Sequence, residues 1–184
     1  MLQYIQDLAA KVRAAGQAPL YIGDIGQPRG GPAPNGHASH QIGLDADIWF
    51  ERQPGPHRPP ADRENPRLRS LVNAQDSGID DTVYNQQHVL LLRLAAQMPH
   101  VDRIFVNKFI KQRLCETVGG DRSWLNKLVV WAGHDEHFHV RLHCHPAIRN
   151  ASRRPATTRT MAAVRRWTSG SPTRRSPCRR PARR

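Results

Sequence analysis

The chain has 184 residues, enough for one domain with its own core, and a formal net charge of +13 that suggests a partner such as nucleic acid or a membrane surface. Location removes that suggestion: residues 146–184 hold 12 arginines and no acidic residue, so residues 1–145 carry 16 basic against 15 acidic side chains. No segment approaches the roughly 18–20 apolar residues of a membrane span, and three cysteines with no CxxC pair leave the redox compartment open.

Residues 2–14 read as an amphipathic helix, with Leu2, Ile5, Leu8, Ala9 and Val12 at helical spacing and a stop near Gly16. The N-terminus shows neither a basic n-region nor an apolar h-region, so the chain is expected to start inside a domain element, with no signal peptide. Residues 19–22 read as a short strand, and 26–36, rich in Gly and Pro, as a loop. Residues 44–50 alternate and read as a strand; 51–67, with five prolines, read as a surface excursion. A buried helix over 86–97 stops before Pro99, and 103–107 reads as a strand. Helices are predicted over 108–115 and 123–130, and a strictly alternating strand over 137–143. These elements predict an α+β domain over residues 1–145, a small antiparallel sheet flanked by helices. Residues 146–184 read as an Arg-rich tail, disordered or frame-shifted, with too few large apolar residues to offset its ordering entropy.

Two segments carry chemistry: His37-Ala-Ser-His40 leading to Asp45-Ala-Asp47-Ile-Trp49, and His134-Asp-Glu-His137-Phe-His139-Val-Arg141. Alternation puts Asp45, Asp47 and Trp49 on one face of the first strand and His137, His139, Arg141 and His143 on one face of the second. His40 is an odd number of residues from Asp47, so a turn must intervene, and Gly43 supplies a place for it. Two neutral imidazoles and one carboxylate suit catalytic zinc, which takes three protein ligands and leaves a fourth position to water. Asp45 shares the face of Asp47 and is its rival as ligand. A lone histidine is usually a surface or satisfied core residue, and His57, His88, His100, His143 and His145 are read that way.

The run from Gly36 to Asp47, with Ile22-Gly-Asp-Ile-Gly26 before it and His137-Phe-His-Val-Arg-Leu-His-Cys144 after it, resembles the penicillin-insensitive murein endopeptidases, zinc enzymes of the lysostaphin, D-Ala-D-Ala metallopeptidase and hedgehog-type fold. Residues 103–107 and 121–125 match as well, so the resemblance spans about residues 2–145. It implies a zinc-dependent, β-lactam-insensitive endopeptidase acting in the periplasm on D-alanyl–diaminopimelyl cross-links of peptidoglycan, with no specific nucleic acid as partner. The family's ligands fall on His40, Asp47 and His139, and its general base on His137. His134 and His37 fall on histidines lining the metal cleft; His134 is the second catalytic candidate, and His37 a further candidate for approaching metal. Cys115 and Cys144 fall on family cysteines whose usual disulfide partners would lie where the Arg-rich tail sits, so both are expected to lack those partners; the three cysteines leave one disulfide and unpaired thiols equally open. Two other classes are weighed against this one: a non-catalytic zinc-stabilised binding domain, and a nucleic-acid binder working through the tail.

Overall fold

The structure is a computed structural model that describes residues 1–32, 39–51, 66 and 68–144. Helix α1 (Leu2–Ala14) buries Tyr4, Leu8 and Val12, spaced four apart on one stripe, and its Tyr4 hydroxyl donates to the Ala95 carbonyl at 3.5 Å. Strand β1 (Asp45–Trp49) follows. Helix α2 (Gln86–Gln97) opens on a reciprocal cap: the Asn85 side chain accepts from Gln87 N at 2.9 Å, and the Asn85 N–H donates to His88 Nδ1 at 3.0 Å. The helix ends at Met98, held extended at ψ 146° before Pro99. Strand β2 (Val101–Val106) runs into helix α3 (Lys108–Thr117). A 3-10 helix (Ser123–Lys127) leads to strand β3 (Leu128–Val130), and strand β4 (His137–Leu142) completes the sheet.

The sheet order is β1-β4-β2-β3. The pairs β1/β4 and β4/β2 are antiparallel, as expected, whereas β2/β3 is parallel, joined through α3. This corrects the helix predicted over 123–130. Its first residues wind into the 3-10 turn, but Leu128, Val129 and Val130 extend along the sheet edge, where β-branched side chains are favoured. The strand predicted at 19–22 shrinks to a single bridge between Ile22 and Ile48. Even so, residues 21–24 cover the outer edge of β1, through Trp49 N to Tyr21 O and Gly23 N to Asp47 O. The Pro-rich excursion lies outside the described residues, apart from its first residue and Pro66, as do His57, His145 and the Arg-rich tail.

The helices and one face of the sheet share a core in which Leu8, Ile48, Phe50, Leu91, Leu92, Ile104, Phe138 and Val140 are fully buried. Each such side chain stabilises the fold by about 1.5–3 kcal/mol. Because that face is filled by apolar groups, the alternating residues of β1 and β4 emerge together on the other face. His88 is a satisfied core residue, as read from the sequence. Cys115 is disulfide-bonded and Cys144 is a free, exposed thiol, so one disulfide is present, one of the two outcomes left open by the sequence.

Candidate metal centre

Antiparallel pairing of β1 with β4 sets Asp47 directly opposite His139, Asp45 opposite Arg141 and Trp49 opposite His137. Cross-strand partners share a face, so the register alone brings a carboxylate and an imidazole together. His40 reaches them from the loop before β1. Gly43, at φ 71°, makes the turn expected there, and His40 itself sits in the left-handed region at φ 60°. That backbone costs a non-glycine residue on the order of 1–2 kcal/mol and persists only where the surroundings impose it. They do: the His40 ring is 2.7 Å from the Ile25 carbonyl through Nδ1, its backbone N–H donates to Asp45 Oδ2 at 3.3 Å, and the Gly31 N–H donates to the Gln41 carbonyl at 2.8 Å.

Three ligand-type atoms converge. His40 Nε2 lies 3.2 Å from His139 Nδ1 and 3.4 Å from Asp47 Oδ1, and His139 Nδ1 lies 3.1 Å from Asp47 Oδ1. Tetrahedral zinc with bonds of about 2.05 Å spaces its ligand atoms about 3.3 Å apart. All three residues are buried, and Asp47 Oδ1 is a buried oxygen that, among the described residues, makes no well-formed hydrogen bond, although imidazole nitrogens lie within 3.4 Å. An orphaned buried carboxylate oxygen is costly. A cation placed between the three atoms would remove that cost, so the residues present fit a metal ion.

Asp45 does not join this group. It is fully buried, with Oδ1 2.9 Å from His139 Nε2 and Oδ2 accepting from Arg141 Nη1 at 2.7 Å. The Ile25 carbonyl holds the proton of His40 on Nδ1, and Asp45 holds that of His139 on Nε2. Each ring thus turns its lone pair toward the shared point. Sequence reasoning left Asp45 as a rival ligand because it shares a strand face with Asp47, and that pattern does not distinguish the two carboxylates. No side-chain pattern marks the Ile25 carbonyl.

His137 and His134 border the centre. His137 Nε2 is 3.8 Å from Asp47 Oδ1, and its ring sits edge-on to Trp49 at 5.1 Å and 4.9 Å from the ring of His134. His134 also has a left-handed backbone, φ 57°. Asn107 pins it there: its side chain caps α3 by accepting from Phe109 N and donates to the Gly133 carbonyl at 3.2 Å, while its backbone N–H donates to the His134 carbonyl at 3.0 Å. The His134 ring donates from Nδ1 to the Ala132 carbonyl at 2.9 Å, leaving Nε2 as acceptor. His37 lies outside the described residues.

The electrostatics follow from burial opposed by pairing. Burial alone would lower the pKa of His139, but Asp45 and Asp47 outweigh it and push it up to about 9. His40 is raised in the same way, burial being overcome by Asp47. Burial would raise Asp47, yet His139 and His40 hold it well below the usual carboxylate range; Asp45 is likewise lowered, against burial, by His139 and Arg141. Burial, aided by the neighbouring imidazoles, pushes His134 down to about 4, so it is neutral at physiological pH.

A family model for penicillin-insensitive murein endopeptidases matches residues 1–182. The chain belongs to that family. Among curated members, the penicillin-insensitive murein endopeptidase of Haemophilus influenzae is 47% identical over 146 residues, covering 78% of this chain and 50% of the relative. The protein of the same name from Escherichia coli K12 is 42% identical over 144 residues, covering 78% of this chain and 52% of the relative. The chain thus spans about half the length of the curated murein endopeptidases it matches.

Proposed function

We propose that the chain is a zinc-dependent endopeptidase that hydrolyses peptide cross-links of peptidoglycan, of the D-alanyl–diaminopimelyl type, in the periplasm. The observation that carries the reading is the convergence of His40 Nε2, Asp47 Oδ1 and His139 Nδ1 around one buried point, in a chain whose relatives bear the name murein endopeptidase. When bound there, zinc supplies Lewis acidity that polarises the scissile carbonyl and lowers the pKa of a water toward neutrality. The chain's own groups do the rest. His137, beside Asp47 and about a quarter exposed to solvent (24%), would take the proton of the attacking water or donate to the developing oxyanion. His134, neutral and fixed through Asn107, offers a second hydrogen-bonding group on the same side. No serine or other nucleophile is acylated in this scheme, so β-lactams have nothing to trap. In this reading residues 1–145 are the working domain, and the Arg-rich tail plays no part in the chemistry.

The test is a digest of cross-linked muropeptides by zinc-loaded protein, with two variants whose fold is checked by circular dichroism. His139→Ala is expected to lose zinc and cleavage together. His137→Ala is expected to keep zinc and lose about 10²–10⁴ in rate, the usual worth of a positioned acid or base. Cleavage by His137→Ala at close to the parental rate would remove it from the mechanism. A zinc-loaded, folded parent that leaves cross-links intact would instead favour a zinc-stabilised binding domain.

A further inference from the structure

The row of the sheet that runs through the metal centre reads Asp47, His139, Phe105 and Val129 from β1 to β3. Its ligands occupy two strands, and its chemistry then turns apolar. The Phe105 ring stands edge-on to His139 at 5.3 Å, lies 6.0 Å from His134 and meets Trp131 at 5.3 Å. Trp131 is held at the end of β3 by its N–H on the Val106 carbonyl, 3.1 Å away. Among the described residues its side chain has no hydrogen bond, and 46% of the residue faces solvent, whereas Trp124 is 2% exposed. A tryptophan with its backbone fixed, one ring away from the ligand His139, is a costly group to leave in water unless something covers it.

We propose that Phe105 and Trp131 form an apolar platform that receives the alkyl portion of the substrate residue next to the scissile bond. The inference rests on the peptidase reading above and adds the direction in which the substrate lies. On the β1 side the sheet edge is occupied by residues 21–24. The neighbouring row, Asp45, Arg141 and Arg103, is fully charged. Among the described residues, a peptide whose carbonyl reaches the metal centre and extends toward β3 meets Phe105, Val129 and Trp131, with the neutral His134 beside them, and these offer an uncharged aliphatic chain its best cover. The methylene arm of a diaminopimelyl residue has that character. Aromatic anchors of this kind carry much of the energy of an interface because they desolvate a large rigid surface at little entropic cost.

The test uses the full zinc-loaded chain, a cross-linked muropeptide dimer as substrate, and the same dimer with its scissile amide reduced to a methylene-amine as an uncleaved ligand. Trp131→Ala is expected to raise KM about tenfold and to weaken the uncleaved ligand by the same factor, with zinc content unchanged and kcat within about threefold. Trp131→Phe is expected to recover most of the loss, which a merely structural role would not produce. An unchanged KM and ligand affinity in Trp131→Ala overturns the proposal, as does a loss confined to kcat. Should the parent bind the uncleaved ligand but fail to cut the dimer, the hydrolytic reading falls, and the Trp131→Ala affinity still decides the platform. A parent that neither cuts nor binds removes both.

Discussion

Replacing Asp45 by Asn changes one atom type and should damage the metal centre more than that change suggests. The carboxylate accepts from both sides, from His139 Nε2 at 2.9 Å and Arg141 Nη1 at 2.7 Å, and it is fully buried. An amide has one acceptor and one donor end. If its oxygen faces His139, its NH2 group confronts the Arg141 guanidinium. If it turns round, the NH2 group donates to His139 Nε2 and drives the ring proton onto Nδ1, the atom needed for metal. Loss of a partner that orients a ligand histidine typically costs 10- to 100-fold in metal affinity, about 1.4–2.8 kcal/mol. Arg141 adds little to that cost on its own, because its side chain is 31% exposed and can turn to water. Asp45→Asn is therefore expected to weaken zinc by 10- to 100-fold in competition with a chelating dye. The double variant Asp45→Asn with Arg141→Met should regain part of the loss, since with the amide oxygen facing His139 the NH2 group then opposes only the longer His40 N–H contact. Zinc affinity within twofold of the parent in Asp45→Asn, or no recovery in the double variant, would refute the orienting role.

Zinc binding should release protons. With His139 raised to about 9, the metal-free site carries at least one imidazole proton at pH 7.5, and a ligand nitrogen must lose it. The apparent affinity should thus climb about tenfold per pH unit below 9 and level off above it; calorimetry in buffers of different ionisation enthalpy would count the protons, and a count of zero contradicts the pairing described. Gly26→Ala places a methyl 2.9 Å from the His40 carbonyl oxygen, a backbone atom that cannot swing away, so zinc affinity and melting temperature should both fall; an unchanged melting curve with full zinc would show that the loop yields. A chain ended at His145 should keep its zinc, and a folded but zinc-free product would place part of the centre in the tail.

The polar and apolar faces of β1 and β4 were legible because period-two alternation is strict over both segments, and the stop before Pro99 marked the end of α2, whereas its cap at Asn85 came from the structure. Alternation does not encode register, so the opposition of Asp47 to His139 had to come from the structure, and with it the demotion of Asp45 from rival ligand to orienting carboxylate. His40 was readable as a chemical group, but not its placement, which depends on a left-handed backbone and on a main-chain carbonyl that leaves no mark in a side-chain pattern. The segment 123–130 was misread because Trp124, Leu125 and Leu128 repeat at helical spacing, and three residues are too few to show a strand's period.

Asp47 and His139 stand side by side in space, yet His139 is 99 residues from His40 along the chain, on the last strand of the sheet. During synthesis, the first two donors leave the ribosome long before the third. Until β4 has threaded between β1 and β2, nothing can hold a metal between them, because the last strand to be made occupies a central place. The hydrolytic power proposed for this chain would then arise only on completion of the sheet, and partly made or unfolded chains would be inert toward peptidoglycan. In such a protein the topology of four strands itself acts as a timer.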